Sequence, residues 1–86
     1  MLAKYACHVC GLLQDSPPWG EDGETPLFEI CACCGVEFGY GDATIIAVHR
    51  TRDRWLEKGA KWFMPKFKPI DWSLGRQLAQ IPEMFK

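Results

Sequence analysis

Between residues 43 and 58 the apolar side chains recur at three- and four-residue intervals. Ile45, Val48, Trp55 and Leu56 share one stripe with His49 and Arg52. That period predicts an amphipathic helix over 43–58, with Arg50, Asp53, Arg54, Glu57 and Lys58 on the opposite face. Asp42 is placed to cap its start and Gly59 to follow its end. A shorter stripe of Trp72, Leu74, Leu78 and Ile81 predicts a second helix over 73–81, capped by Ser73 or Asp71 and stopped by Pro82. Between the two, Trp62, Phe63, Met64, Pro65, Phe67 and Pro69 interleave with Lys61, Lys66 and Lys68. The prolines forbid a regular helix there, so the segment is expected to run extended and pack over the domain. Ahead of residue 43 the apolar runs shorten. Tyr5 and Leu12-Leu13 flank one turn and residues 27–30 enter another, predicting small β-hairpins. The intervening 14–26 stretch is a loop by composition, with Pro17, Pro18, Gly20, Gly23 and Pro26 among Glu21, Asp22 and Glu24. Trp19 is the large aromatic in this polar loop. It serves either as a lid on the core or as an anchor for a partner.

The two turns carry the chemistry. They read Cys7-His8-Val9-Cys10-Gly11 and Cys31-Ala32-Cys33-Cys34-Gly35, with 20 residues between Cys10 and Cys31. Two thiols three positions apart, followed by a glycine that can turn the chain, direct both sulfurs at one cation. Two such pairs at this spacing make a four-thiolate zinc site. Aligning the turns by their glycines matches Cys7 with Cys31 and Cys10 with Cys34, which makes these four the ligands. Cys33 then falls where the first turn has Val9, as a small packed side chain; the alternative is a spare thiol with redox chemistry. His8 sits inside a turn and is expected beside the ligands rather than among them. Arg52, on the buried stripe of the long helix, should lay its stem on apolar surface and aim its guanidinium at Glu37 or the thiolates.

Composition sharpens this picture. The chain has 86 residues, enough for one small domain over 1–86: a metal-binding half (1–42) and a helical, aromatic half (43–86) packed on it. At that length the margin of stability is about 4–13 kcal/mol, and a structural zinc contributes about 10–16 kcal/mol in small metal-dependent domains. The metal term rivals the whole margin, so the N-terminal half is expected not to fold without its ion. Five cysteines, an odd number, fit a closed disulfide framework poorly. With no apolar leader and no long apolar run, they point to a reducing cytoplasm and to no membrane. Net charge is −1, but residues 1–43 carry one lysine against seven carboxylates (−6) and residues 44–86 nine cations against four carboxylates (+5). Either the halves attract each other, or the surface is bipolar and meets a charged partner. No phosphate-binding glycine loop and no base–nucleophile pair is legible, so no catalytic residue is assigned.

Residues 5–11, then 28–36, with Glu37-Phe38-Gly39-Tyr40-Gly41-Asp42, Arg54-Trp55 and Lys61-Trp62-Phe63 after them, resemble the bacterial cysteine-rich CPCC-type domain family. The name-giving proline of that motif is Ala32 here. The resemblance implies metal binding through Cys7, Cys10, Cys31 and Cys34, and for some members a role as immunity or accessory proteins beside bacterial toxin systems. The paired turns are also similar to those of rubredoxins, which hold one iron for electron transfer. The expected fold is therefore small α+β: a zinc-ribbon or rubredoxin-like double knuckle with short hairpins, followed by two helices. The expected function is a non-enzymatic zinc-binding interaction module with another protein as partner. Its partner surface would be Trp19 with the acidic Glu21 and Asp22, or the helix face of Arg50, Arg54 and Lys58. An iron electron carrier and a nucleic-acid-binding zinc ribbon are the alternatives; basic side chains interleaved with aromatics permit the latter.

Overall fold

The computed structural model describes residues 2–86; Met1 lies outside them. The long helix α1 spans Ile45–Glu57, two residues inside the expected start and one inside the expected end. Its cap is Thr44, whose hydroxyl accepts from the Ala47 amide at 3.0 Å, and not Asp42. The reason is that Asp42 is already committed: its carboxylate accepts from the Gly39 amide at 2.8 Å and the Trp19 indole at 2.9 Å. Gly59 follows the helix in a left-handed conformation, φ +96°, as expected. Of the apolar stripe only Val48 and Trp55 are fully covered; Ile45 and Leu56 remain substantially exposed and His49 is half-buried. The opposite face (Arg50, Asp53, Arg54, Glu57 and Lys58) is exposed throughout.

The second helix, α2, is only five residues, Leu74–Leu78, and Ser73 caps it through the Arg76 amide. Beyond Leu78 the chain tightens into single turns toward Pro82, with Ile81 donating to the Leu78 carbonyl. Leu74, Leu78 and Trp72 pack on the core, and Ile81 is buried. The aromatic segment corrects the expectation of extended chain: Pro65–Phe67 is a 3₁₀ turn. Trp62 is buried, but Phe63 and Phe67 are each more than half exposed. What holds this segment down is backbone pairing with the second cysteine turn, Phe63 N–H to Cys33 O at 2.9 Å and Met64 N–H to Ala32 O at 2.8 Å.

Where hairpins were expected, the described residues contain two isolated antiparallel bridges, Ala6–Leu13 and Ile30–Glu37. Tyr5 belongs to a 3₁₀ turn, Leu2–Tyr5, rather than a strand. Phe28 breaks the expected 27–30 strand by adopting a left-handed backbone, φ +60°, far from regular strand dihedrals. The core lies between the two bridged turns and α1. It consists of Val9, Val36, Phe38, Val48, Trp55, Ala60 and Trp62 packed around the cysteines.

Candidate metal centre

Each cysteine turn closes on itself in the same way. Cys7 O accepts from Gly11 N–H and Cys31 O from Gly35 N–H, both at 2.9 Å; Cys7 N–H donates to Leu12 O and Cys31 N–H to Val36 O, again both at 2.9 Å. Gly11 and Gly35 supply the left-handed residue each turn needs, at φ +87° and +80°. The outer pairings match too, Gln14 N–H to Tyr5 O and Phe38 N–H to Glu29 O. Two equal turns facing each other produce equal cross distances: Cys7 Sγ to Cys34 Sγ is 3.7 Å, and Cys10 Sγ to Cys31 Sγ is 3.7 Å.

All four sulfurs lie within 4.8 Å of one another, and the group can hold a metal ion. The donor set passes a simple fit test. With Zn–S bonds of about 2.3 Å, tetrahedral geometry separates the sulfurs by about 3.8 Å, close to both cross distances. A disulfide needs about 2.05 Å, and all five cysteines are free thiols. Hydrogen bonding to Cys31, then to the other sulfurs, together with burial, pushes the Cys10 thiol well up, whereas Cys31 is pushed down, first by Cys10. A divalent cation would bind all four as thiolates.

Supporting groups surround the sulfurs. Cys33 is fully buried and stands apart from the group of four, its sulfur accepting from Gln77 Nε2 at 3.2 Å. The same amide nitrogen donates to Cys10 O, and Trp72 Nε1 donates to Gln77 Oε1 at 2.7 Å. Gln77 therefore ties α2 to both turns. Its position three residues after Leu74 on the inward stripe, a polar residue among apolar ones, was the only sequence signal for it. Gln14 Nε2 reaches Cys31 Sγ at 3.6 Å; nothing in the sequence marked it. Arg52 departs from the expected pairing with Glu37. Its guanidinium donates to three carbonyls: Val9 at 2.6 Å, Phe85 at 2.6 Å and His8 at 2.9 Å. Burial costs its charge something, and Asp53 with Cys7, Cys10 and Cys34 offsets that cost. The guanidinium thus bonds the backbone of the turn and not the sulfurs.

His8 is not among the clustered donors. Its ring stacks on Phe85 at 3.7 Å between centroids and lies parallel to Trp19 at 6.1 Å. Glu21 is exposed and pairs with Lys4 at 2.6 Å, and Asp22 organises its own loop by accepting from Glu24 N–H and Thr25. Arg54 and Lys58 border a groove of about 270 Å³ that reaches Cys34, the least covered of the four cysteines. Arg50 does not line it. Among the described residues no helix is long and apolar enough to cross a membrane.

No family model matches the chain, and no solved structure matches it significantly. Among known proteins it is similar to the uncharacterised protein YoaQ of Bacillus subtilis, 35% identical over 72 residues, covering 64% of this chain and 59% of that protein. It is also similar to the uncharacterised protein YozI of Bacillus subtilis, 31% identical over 83 residues, covering 76% of this chain and 67% of that protein. The chain thus spans about two thirds of the first relative's length or less, and with that identity and coverage it belongs to the family of YozI.

Proposed function

We propose that the chain is a non-enzymatic, zinc-stabilised binding module. In this reading Cys7, Cys10, Cys31 and Cys34 hold one structural zinc in a rubredoxin-like or zinc-ribbon double knuckle, as the CPCC-type resemblance implies, and the protein works in the cytoplasm on a protein partner. The observation that carries the reading is the mutual distance of the four sulfurs, all within 4.8 Å of one another, three of them buried. Four protein thiolates fill a tetrahedral ion, which leaves no position for water or substrate and gives the metal a structural task. Zinc would supply cross-linking and charge neutralisation; the residues of the chain supply the recognition. Elemental analysis of protein expressed without added metal is the test, and one zinc per chain is the expected result. A chain without transition metal, or with its cysteines oxidised to disulfides, would contradict the reading.

The second reading is an iron electron carrier, favoured by one feature: Cys34 is only half-buried and faces a groove lined by Arg54, Lys58 and Lys61, through which an electron could pass. Four thiolates accept either ion. A red iron–thiolate absorption band with reversible reduction would establish it over zinc.

A further inference from the structure

Two adjoining hollows, of about 180 and about 320 Å³, share His8, Trp19, Gly23 and Phe85 as walls. They form one cleft between the 19–24 loop and the chain's last turn, Glu83–Phe85, on a part of the surface the sulfur cluster does not use. Its walls are ring faces. Phe85 stacks on His8, and the Trp19 ring is parallel to His8 at 6.1 Å. Its floor is a carboxylate: Asp42 lines the smaller hollow and is only 2% exposed. The Asp42 oxygens accept from two neutral donors, Trp19 Nε1 and Gly39 N–H, and no cation pairs with them among the described residues. Burying an ionised carboxylate without a counter-charge is costly, and each of its oxygens keeps acceptor capacity beyond one hydrogen bond. His8, a wall of both hollows, has a buried Nδ1 that makes no hydrogen bond among the described residues.

The loop beside the cleft is acidic, with Lys4 as the cation on the wall of the larger hollow. Gly20 and Gly23 line the cleft, and the loop they belong to carries Glu21, Asp22 and Glu24, all exposed. The cations nearby are already engaged. Lys4, on the wall of the larger hollow, pairs with Glu21, and Arg52 is spent on the carbonyls of His8, Val9 and Phe85. A ligand that fits must bring positive charge, an apolar stem to lie between aromatic faces, and N–H donors at its tip.

We propose that this cleft receives a lysine or arginine side chain of a protein partner. The stem lies against Trp19 and Phe85, where a cation over ring faces gains further attraction, and the charged tip reaches Asp42 while the acidic loop draws the partner in. The assignment rests on the reading of the chain as a binding module and names the chemistry of what it binds.

The test is a titration of the zinc-loaded full chain with an end-capped lysine–arginine–lysine peptide, followed by the NMR resonance of the Trp19 indole N–H, which donates to Asp42. The matched glutamine peptide is the control. The basic peptide should move that resonance saturably and the glutamine peptide should not. Replacing the rim carboxylates together (Glu21→Gln, Asp22→Asn, Glu24→Gln) should weaken binding by about threefold to tenfold, with the difference shrinking as salt rises. Asp42→Asn should abolish it; should that variant fail to fold, the rim variant, altered only at exposed side chains, decides. Equal responses to both peptides, no saturation below about 10 mM, or full binding by the rim variant at low salt overturns the proposal. A folded, zinc-loaded chain that ignores the basic peptide removes this cleft and leaves the metal site standing.

Discussion

Arg52 joins three parts of the chain through one side chain: α1, which carries it, the first cysteine turn, whose His8 and Val9 carbonyls it holds, and the last turn, through Phe85. Arg52→Met keeps the apolar stem and removes the donors, leaving half-buried carbonyls short of a partner. Hydrogen bonds from charged donors are worth about 1.5–3 kcal/mol, so the variant should lose about 2–3 kcal/mol in denaturant unfolding of the metal-loaded protein. Unchanged or raised stability would show that the guanidinium contributes nothing. Cys33 and Cys34 are neighbours with opposite expected behaviour. Cys33→Ala removes a packed sulfur that faces Gln77, so it should cost about 1–2 kcal/mol and leave zinc content at one per chain. Cys34→Ala should weaken zinc binding sharply in a chelator competition. The spacing of the turns set these two thiols apart in the sequence, Cys33 standing where the other turn has Val9, and the four clustered sulfurs are those of Cys7, Cys10, Cys31 and Cys34. Arg52's place on the apolar stripe was legible as well, but its partners were not: carbonyls on a folded turn exist only once the turn has formed. Asp42 misled for a related reason. It is a good helix cap in isolation, and a more distant indole and a turn amide took its oxygens first.

At the scale of elements, the paired turns were the most legible feature and their flanks the least. A Cys-x-x-Cys-Gly segment favours its own closing hydrogen bond and a left-handed glycine, and both turns have them. Hairpins require strands on either side, and here the flanks give one residue pair each. Leu2–Tyr5 coils instead, and Phe28 leaves β-space altogether. The two turn glycines are equal in φ but not in surroundings. A Cβ on Gly11 would collide with the Gln77 carbonyl of α2, a backbone atom that cannot swing aside, whereas one on Gly35 would stand 3.1 Å from the Phe63 ring, an exposed side chain. Both alanine variants incur left-handed strain of about 1–2 kcal/mol. Gly11→Ala should therefore be clearly the more damaging in thermal melts and should also displace α2. Equal losses would show that α2 does not seat on the first turn as described. The helices illustrate the other limit of pattern reading. Periodicity located α1 to within two residues, but it treated Ile45 and Leu56 as core, and both remain exposed.

At the scale of the molecule, the sulfurs stand where a larger protein would have its hydrophobic centre. Val9, Val36, Phe38, Val48, Trp55 and Trp62 surround them, and few other side chains are fully buried. The charge asymmetry between the two halves of the chain takes on a local meaning. Arg54, Lys58 and Lys61 gather at the end of α1 beside Cys34, where a four-thiolate zinc would carry formal charge −2 and the helix terminus is negative. The acids of the 21–24 loop sit beside Gly20 and Gly23, which line the aromatic cleft. Removing the ion with a strong chelator should abolish the cooperative thermal transition and the near-ultraviolet signal of the buried tryptophans, since the metal contribution of about 10–16 kcal/mol matches or exceeds the whole margin. Melting that survives exhaustive chelation would mean that the apolar shell holds the fold by itself. The central claim, that Cys7, Cys10, Cys31 and Cys34 converge on a single ion, is tested most directly by X-ray absorption at the zinc edge of the purified protein. The account predicts one shell of four sulfurs at about 2.3 Å; a shell of nitrogen or oxygen, or fewer sulfurs than four, would contradict it.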